Sequence, residues 1–267
     1  MRDRPKILGV IPARLDSQRL PGKVLLKIGP KPMIHWVYER ARQSPLLSDI
    51  FVATDSEKVQ EYCAHHGIPV MHTRRHPSGS DRLHEVMERT DADIYVNIQG
   101  DEPTVRPDHI ELLLQPLLAG ESEVTTLKVA IDGEAAQNPH IVKVVTDNHR
   151  RALYFSRMPI PCDRDAGGAI HYYKHLGLYG YTRAALALFH NLPQSPLELA
   201  EKLEQLRYLE NGIAIQVSET PFDTVGVDTA ADLERAAAIL TVDRSQEPEV
   251  KSPESGIRNQ ESGIRRV

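Results

Sequence analysis

The alternation of short apolar runs with amphipathic helical segments is the feature that most restricts how this chain folds. Apolar runs typical of buried strands occur at 6–11, 49–54, 68–71 and 93–98. Helical spacing of apolar residues follows them at 33–42, 56–65, 80–88 and 107–118. Strands of this kind that alternate with helices form mostly parallel sheets covered on both faces. The first half therefore predicts a three-layer α/β fold.

The second half predicts an antiparallel β extension of that mostly parallel sheet. Segments 141–146 and 151–155 are β-like and flank Asp147 and Asn148, which favour a hairpin turn. A further β segment spans 172–181. The remaining elements are predicted as helices at 183–190, 196–209 and 230–240, with a strand at 213–217.

Composition and charge exclude several classes of protein. The chain has 267 residues, 40% of them apolar, which suits one large α/β domain or two small ones. No apolar run reaches the roughly 18 residues that a membrane-spanning helix needs, and MRDRPKILGV lacks the long apolar part of a signal peptide. We therefore expect a cytoplasmic protein. The net charge of −5 argues against nucleic-acid and membrane-surface binding, and two isolated cysteines argue against a disulfide framework.

The composition changes near the end of the chain. The last residues are polar and contain a near-repeat, ESGIRNQ followed by ESGIRRV. One isoleucine and one glycine in seven residues cannot form the apolar seam of a coiled coil. We predict a disordered tail at 244–267 and a folded region at 1–243.

A basic loop, IPARLDSQRLPGK, follows the first predicted strand at 11–23. It lacks both common phosphate-binding patterns, since Ser17 replaces the first glycine of a P-loop and no GxGxxG is present. Arg14, Arg19 and Lys23 supply side-chain charges suited to phosphate oxygens instead. Because the carboxyl edge of an α/β sheet is the usual ligand site, the loop predicts a small anionic ligand.

Two acidic residues follow other strands or precede a helix. Asp101 lies in the segment QGDEP after the strand at 93–98, where it is equally compatible with a turn and with a Mg²⁺ ligand. Asp228, in GVDT, lies where aspartate commonly caps a helix, as the Thr229 and Asp232 pair also suggests. Together the two aspartates could hold Mg²⁺ against a polyphosphate.

Seven segments together resemble a known family. ARLDSQRLPGK, HPSGSDRL, NIQGDEP, SRMPIPCDR, HLGLYGY, LEQLR and GVDT occur in this order across residues 6 to 240. The series is similar to the 3-deoxy-D-manno-octulosonate (Kdo) cytidylyltransferases. The resemblance implies a nucleotide-diphospho-sugar transferase-like fold. It also implies transfer of CMP from CTP to the anomeric hydroxyl of Kdo, with Mg²⁺ as cofactor, for lipopolysaccharide core synthesis.

The resemblance also implies an assembly and residue roles. It implies a homodimer, with 140–182 as a β-rich sugar-binding and dimerisation region. Catalytic roles fall on Arg14, Lys23, Asp101 and Asp228, the last two as Mg²⁺ ligands. Nucleotide binding falls on Pro12, Ala13, Arg14, Ser17, Arg19, Lys23, Ser78, Gly79, Arg82 and Asp101. Sugar binding falls on Gln99, Arg157, Arg164, His175, Tyr179, Glu204 and Gln205.

Several alternatives remain open on the residues alone. Tyr179 in an aromatic strand is more often a core or interface residue, and Glu204 in a predicted helix is more often solvated. A related acidic sugar, 8-amino-Kdo or sialic acid, could replace Kdo. A non-catalytic nucleotide-binding protein is a further alternative.

Overall fold

The computed structural model describes residues 4–17, 20–76, 78–164 and 170–244. Two parts of the predictions, Arg19 and the tail beyond Arg244, lie outside these residues. The strands of the described residues are β1 (Ile7–Ala13), β2 (Lys27–Ile28), β3 (Lys31–Pro32), β4 (Asp49–Thr54), β5 (Val70–His72), β6 (Ile94–Asn97), β7 (Val124–Ile131), β8 (Lys143–Thr146), β9 (Ala152–Ser156), β10 (Tyr172–Thr182) and β11 (Gln216–Glu219).

Helices connect most of these strands. They are α1 (Met33–Ala41), α2 (Glu57–His65), α3 (Gly79–Arg89), α4 (Pro107–Leu118), α5 (Gly133–Ala136), α6 (Arg183–Asn191), α7 (Pro196–Glu201), α8 (Leu206–Glu210) and α9 (Ala230–Arg244). Their starts follow local chemistry. The Ser56 hydroxyl accepts the Val59 N–H at the start of α2, and Pro107 occupies the first turn of α4.

The main sheet has the strand order β11-β7-β10-β6-β1-β4-β5. Strand β1 pairs in parallel with β4 and β6, and β4 pairs in parallel with β5. Strand β10 is antiparallel to both β6 and β7, and the β8–β9 hairpin joins the sheet through β10. The predicted combination of a parallel sheet with an antiparallel β extension is confirmed.

Side-chain alternation along β1 explains the three layers. Ile7 and Ile11 lie in a core cluster with residues of α1, α2 and α4. Leu8 and Val10 face the opposite side, in a cluster with residues of α3, α6 and α8. Successive residues of a strand point to opposite faces, so β1 is buried from both sides and the sheet lies between two helical layers.

The last helix closes one end of the fold. Trp36 of α1 and Leu240 of α9 lie in a third, smaller cluster with Val227. The predicted Thr229 and Asp232 pair caps α9, since the Thr229 N–H donates to Asp232 Oδ2 at 2.9 Å and the Asp232 N–H donates to Thr229 Oγ1 at 3.3 Å. The cap fixes the segment that carries Asp228.

Several elements differ from the sequence prediction, among them the short β2, β3 and α5, which were not predicted. Strand β7 was not predicted, because Thr125, Thr126 and Lys128 interrupt its apolar pattern, yet all three are buried in the sheet. The single helix predicted at 196–209 is two helices, α7 and α8. They separate at Lys202, whose φ of 57° lies in the left-handed region.

No helix in the described ranges is long and apolar enough to cross a membrane.

Candidate active site

Four charged side chains from distant parts of the chain meet at the carboxyl edge of the sheet. Arg14 follows β1 and Asp101 follows β6, and these two strands are parallel neighbours. Asp228 precedes α9, and its neighbour Val227 donates its backbone N–H to the Asp101 carbonyl oxygen at 2.9 Å. The sheet register and this hydrogen bond therefore bring the two acidic segments together.

The Lys23 ammonium group lies between the two carboxylates. Its Nζ is 2.5 Å from Asp101 Oδ2 and 2.8 Å from Asp228 Oδ1, and it donates to the Val227 carbonyl oxygen at 3.2 Å. Burial disfavours the charged ammonium, but the charges and hydrogen bonds of the two aspartates outweigh it and raise the pKa of Lys23 above its ordinary value. One cation thus bridges both acids.

A cleft of about 410 Å³ surrounds this ion pair. Eight of the predicted site residues line it: Pro12, Arg14, Ser17, Lys23, Gly79, Gln99, Asp101 and Asp228. Asp16, Val24 and Gly100 line it as well and were missed. Their position within or beside the quoted motifs was the available signal.

Gly100 allows the ends of β1 and β6 to approach closely. A Cβ at this position would lie 2.7 Å from the Pro12 carbonyl oxygen, which is backbone and cannot move aside. The residue just before Asp101 therefore has to be glycine for the loop to keep this path.

A second cavity of about 730 Å³ shares Arg14, Asp16 and Ser17 with the cleft. Its other lining residues, none of them predicted, are Leu15, Asp55, Ser56, Arg75 and His76. Two of its lining residues form an exposed ion pair, with Arg75 Nη2 3.0 Å from Asp16 Oδ2. The basic loop thus borders two neighbouring cavities.

Two predicted nucleotide-binding side chains point away from the cleft. Ala13 is fully buried in the core. Arg82 is also fully buried, where its guanidinium donates to Thr73 Oγ1 and to Asp55 Oδ1, the latter at 2.8 Å. An Arg82 held in this way positions Asp55 and contacts no open space. Ser78 caps α3 by accepting the Asp81 N–H at 3.0 Å.

The rings of His175, Tyr179 and Tyr181 form an aromatic row along β10. His175 lies 5.4 Å from Tyr179 between ring centroids, and Tyr179 stacks on Tyr181 at 5.7 Å. A bulge in β10 between Leu176 and Tyr179 brings the first two rings together. His175 Nε2 is 3.0 Å from Thr126 Oγ1. Burial, with a smaller contribution from the Lys174 charge, lowers the pKa of His175 to about 3.

Glu204 and Gln205 follow the break at Lys202 and turn inward. Burial raises the pKa of Glu204, and the nearby Ser80 and Ser78 hydroxyls oppose that rise. Glu204 is half-buried in the structure. Gln205 is buried, and its Nε2 has no hydrogen-bond partner in the described residues.

The predicted sugar-binding arginines lie elsewhere. The Arg157 guanidinium donates to the carbonyl oxygens of Glu201 and Pro139, at 2.9 and 3.2 Å. Arg164 is exposed. Neither residue lines the two cavities, so the structure does not bring them to the cleft.

Glu102 is a neighbouring acid that the sequence reasoning passed over. Burial, followed by the charge of Asp101, raises the pKa of Glu102 to about 7. Its Oε2 has no hydrogen-bond partner within the described ranges. Its position directly after Asp101 in QGDEP was the signal.

The carboxylates of Asp101 and Asp228 suit a hard divalent cation. Asp101 and Asp228 both reach one cation, and carboxylate oxygens are the ligands that Mg²⁺ prefers. No group of three or more histidine, cysteine or acidic residues arranged to hold a metal occurs in the described part of the chain. A Mg²⁺ ion commonly takes one or two carboxylates and fills its remaining positions with phosphate oxygens and water, so the pair is sufficient.

Comparison with known proteins identifies the fold class first. A putative glucose-1-phosphate thymidylyltransferase from Bacillus anthracis has a similar structure, with a TM-score of 0.61 at 18% identity, over 87% of this chain and 94% of that one. The fold is therefore nucleotide-diphospho-sugar transferase-like.

Closer matches identify the family. The family model described as cytidylyltransferase matches residues 8–215. A 3-deoxy-manno-octulosonate cytidylyltransferase from Acidobacterium capsulatum is 52% identical over 241 residues, which cover 90% of this chain and 98% of the relative. A structure of CMP:2-keto-3-deoxy-manno-octonic acid synthetase complexed with CTP matches with a TM-score of 0.85 at 46% identity, over 89% of this chain and 99% of that one.

The chain therefore belongs to the cytidylyltransferase family and, within it, to the 3-deoxy-manno-octulosonate cytidylyltransferases. It is a nucleotidyltransferase.

Proposed function

We propose that this protein transfers CMP from CTP to the anomeric hydroxyl of Kdo and releases pyrophosphate. The observation that carries the proposal is the meeting of Arg14, Lys23, Asp101 and Asp228 in one cleft. Cations suit the triphosphate and the acids suit its Mg²⁺ ion. The product, CMP-Kdo, would supply lipopolysaccharide core synthesis.

The reaction is a displacement at the α-phosphorus of CTP. The anomeric oxygen of the sugar loses its proton to solvent water and forms the new O–P bond, while the bond between the α-phosphorus and the oxygen of the β-phosphate breaks and pyrophosphate leaves. Both reactants are anionic, so Arg14 and Lys23 have to offset the repulsion and stabilise the leaving group. A cleft that holds the two reactants in line would convert binding into a gain in rate.

Asp101 and Asp228 are the residues that would hold Mg²⁺. When bound there, the ion supplies Lewis-acid polarisation of the α-phosphate and lowers the pKa of a coordinated hydroxyl. The carboxylates of Asp101 and Asp228 would be its protein ligands. A base from a side chain is then unnecessary.

The sugar side of the proposal rests on the residues around Gln99. Gln99 lines the cleft and donates from Nε2 to the Gly177 carbonyl oxygen at 3.3 Å. His175 and Tyr179 extend from there as the aromatic row. The names of the relatives favour Kdo over 8-amino-Kdo and sialic acid, and the intact charges of the cleft oppose a non-catalytic role.

The organisation of the chain is part of the same proposal. Residues 1–243 would form the nucleotidyltransferase domain, with 140–182 as the region for sugar binding and for contact between two copies in a homodimer. Activity in the cytoplasm, where CTP is available, fits this chemistry.

A pyrophosphate-release assay tests the function. Purified protein with CTP, Mg²⁺ and Kdo is expected to release pyrophosphate, and omitting the sugar is expected to abolish release. Parallel reactions with 8-amino-Kdo and sialic acid rank the three sugars by kcat/KM. No release with any sugar would refute the proposal, and faster release with sialic acid would reassign the substrate.

A further inference from the structure

Lys23 has no spare donor in this structure. An ammonium group has three N–H donors, and those of Lys23 are directed to Asp101 Oδ2, Asp228 Oδ1 and the Val227 carbonyl oxygen. Its side chain is only 13% exposed. The lysine therefore cannot bind a phosphate oxygen without giving up at least one of these partners.

The same contact also restricts the acids. With Lys23 between them, two carboxylates and one ammonium leave a net charge of −1 on the trio, whereas the carboxylates alone would carry −2. A divalent cation would be attracted to the carboxylates but repelled by an ammonium that contacts both at hydrogen-bond distance. The ammonium and a divalent ion therefore compete for the same oxygens.

We propose that Lys23 is an internal counter-ion that blocks divalent-metal binding at Asp101 and Asp228. The block lasts until a nucleoside triphosphate draws the Lys23 ammonium group away from the two carboxylates. The proposal deepens the function proposed above and rests on it for the use of Mg²⁺ and CTP. The phosphate oxygens of the nucleotide give Lys23 new anionic partners, and the freed carboxylates then accept the metal. Metal and nucleotide binding are thus positively coupled, and the coupling is reciprocal.

The consequence is protection of the free enzyme from unproductive loading. A metal bound tightly to the carboxylates alone would occupy the site without a phosphate to activate. Lys23 removes that state and also keeps two close acids from repelling each other before substrate arrives. Its role therefore differs in the two states: counter-ion to the acids in one, ligand of phosphate in the other.

Mn²⁺ binding to the nucleotide-free protein tests the proposal. Free Mn²⁺ is measured by electron paramagnetic resonance in the wild type, Lys23→Met and Lys23→Arg. Lys23→Met removes the charge and is expected to bind Mn²⁺ about tenfold tighter than the wild type, a coupling of ordinary size. Lys23→Arg keeps the charge and is expected to bind as weakly as the wild type.

Two controls locate the effect. Lys27→Met removes an exposed cation from the same segment and is expected to leave Mn²⁺ affinity unchanged. The double variant Lys23→Met with Asp228→Asn is expected to lose the gain, since the metal then lacks one carboxylate. Circular dichroism checks each fold, and Lys23→Gln replaces Lys23→Met if the latter is unstable.

The outcomes are distinct from those of the function test. Equal Mn²⁺ affinity in Lys23→Met and the wild type would overturn the proposal, as would a gain that persists in the double variant. Loss of pyrophosphate release in the wild type, with the Mn²⁺ results as expected, would refute the proposed reaction alone.

Discussion

Opposite charges, rather than a nucleophilic side chain, organise the cleft. Arg14 and Lys23 face Asp101 and Asp228, and neither histidine nor cysteine lines this space in the part of the chain that the structure describes. Such a set can neutralise, orient and polarise a phosphate group. Direct transfer to the sugar needs no more than this from the protein.

Replacement of Asp101 by asparagine tests that electrostatic role. Asp101→Asn keeps the shape of the side chain but removes the charge that faces Lys23. We expect the fold to survive and turnover to fall about 10²-fold or more, as when other preorganised charged contacts are removed. Pyrophosphate release measures turnover, and circular dichroism measures the fold.

The matched control is Asp108→Asn on α4. Asp108 is an exposed acid paired only with Arg106, at 3.2 Å, in the described contacts. We expect its turnover to equal that of the wild type. Comparable turnover in Asp101→Asn and Asp108→Asn would remove Asp101 from the mechanism.

The site residues that could be predicted from the sequence are those that directly follow a strand of the sheet. Arg14 and Asp101 follow apolar strands, so parallel pairing alone places both at one edge. The burial of Arg82 was not predictable, because its partners Asp55 and Thr73 come from other loops. The pairing of Lys23 with both acids likewise depends on a loop path that no periodicity encodes.

At the level of elements, the meeting of β1 and β6 depends on one glycine. Gly100→Ala would place a methyl group 2.7 Å from the Pro12 carbonyl oxygen. We expect the free energy of unfolding to fall by about 1–3 kcal/mol, the usual cost of overpacking. Turnover should fall too, because the displaced loop carries Asp101. Urea unfolding and pyrophosphate release measure the two effects.

Gly133→Ala is the control for that variant. Nothing lies within 4 Å of a Cβ at Gly133, at the start of α5. We expect unfolding and turnover close to those of the wild type. An equal loss of stability in both variants would mean that the close approach to Pro12 is unimportant.

Elements with a clear period were predictable, and those shaped by tertiary contacts were not. The predicted helix at 107–118 matches α4 in full. Strand β7 was not predicted, because its buried polar residues find hydrogen-bond partners only in the folded sheet. Thr126 Oγ1, for example, donates to the Leu178 carbonyl oxygen at 2.8 Å. The break between α7 and α8 at Lys202 could not be predicted, because no glycine or proline lies at the break.

For the molecule as a whole, buried ionisable groups make stability depend on pH. His175 has a pKa of about 3 in the fold, below the ordinary value of 6.5, because desolvation of its ring favours the neutral form. Between pH 6.5 and pH 3 the unfolded chain binds more protons than the folded protein. The free energy of unfolding therefore falls as the pH is lowered through this range. His175→Gln removes this contribution and should lose less stability than the wild type between pH 7 and pH 4.

Urea unfolding at pH 7, 6, 5 and 4 measures the slope, and His171→Gln is its control because His171 is exposed at the start of the same region. The acid Glu85, whose pKa of about 2 reflects hydrogen bonds from His76 and other donors that outweigh burial, contributes in the same direction below pH 4.5. That contribution remains in both variants, so some loss near pH 4 should persist. Identical slopes for His175→Gln and the wild type would mean that His175 takes up a proton over the same pH range in the folded protein as in the unfolded chain.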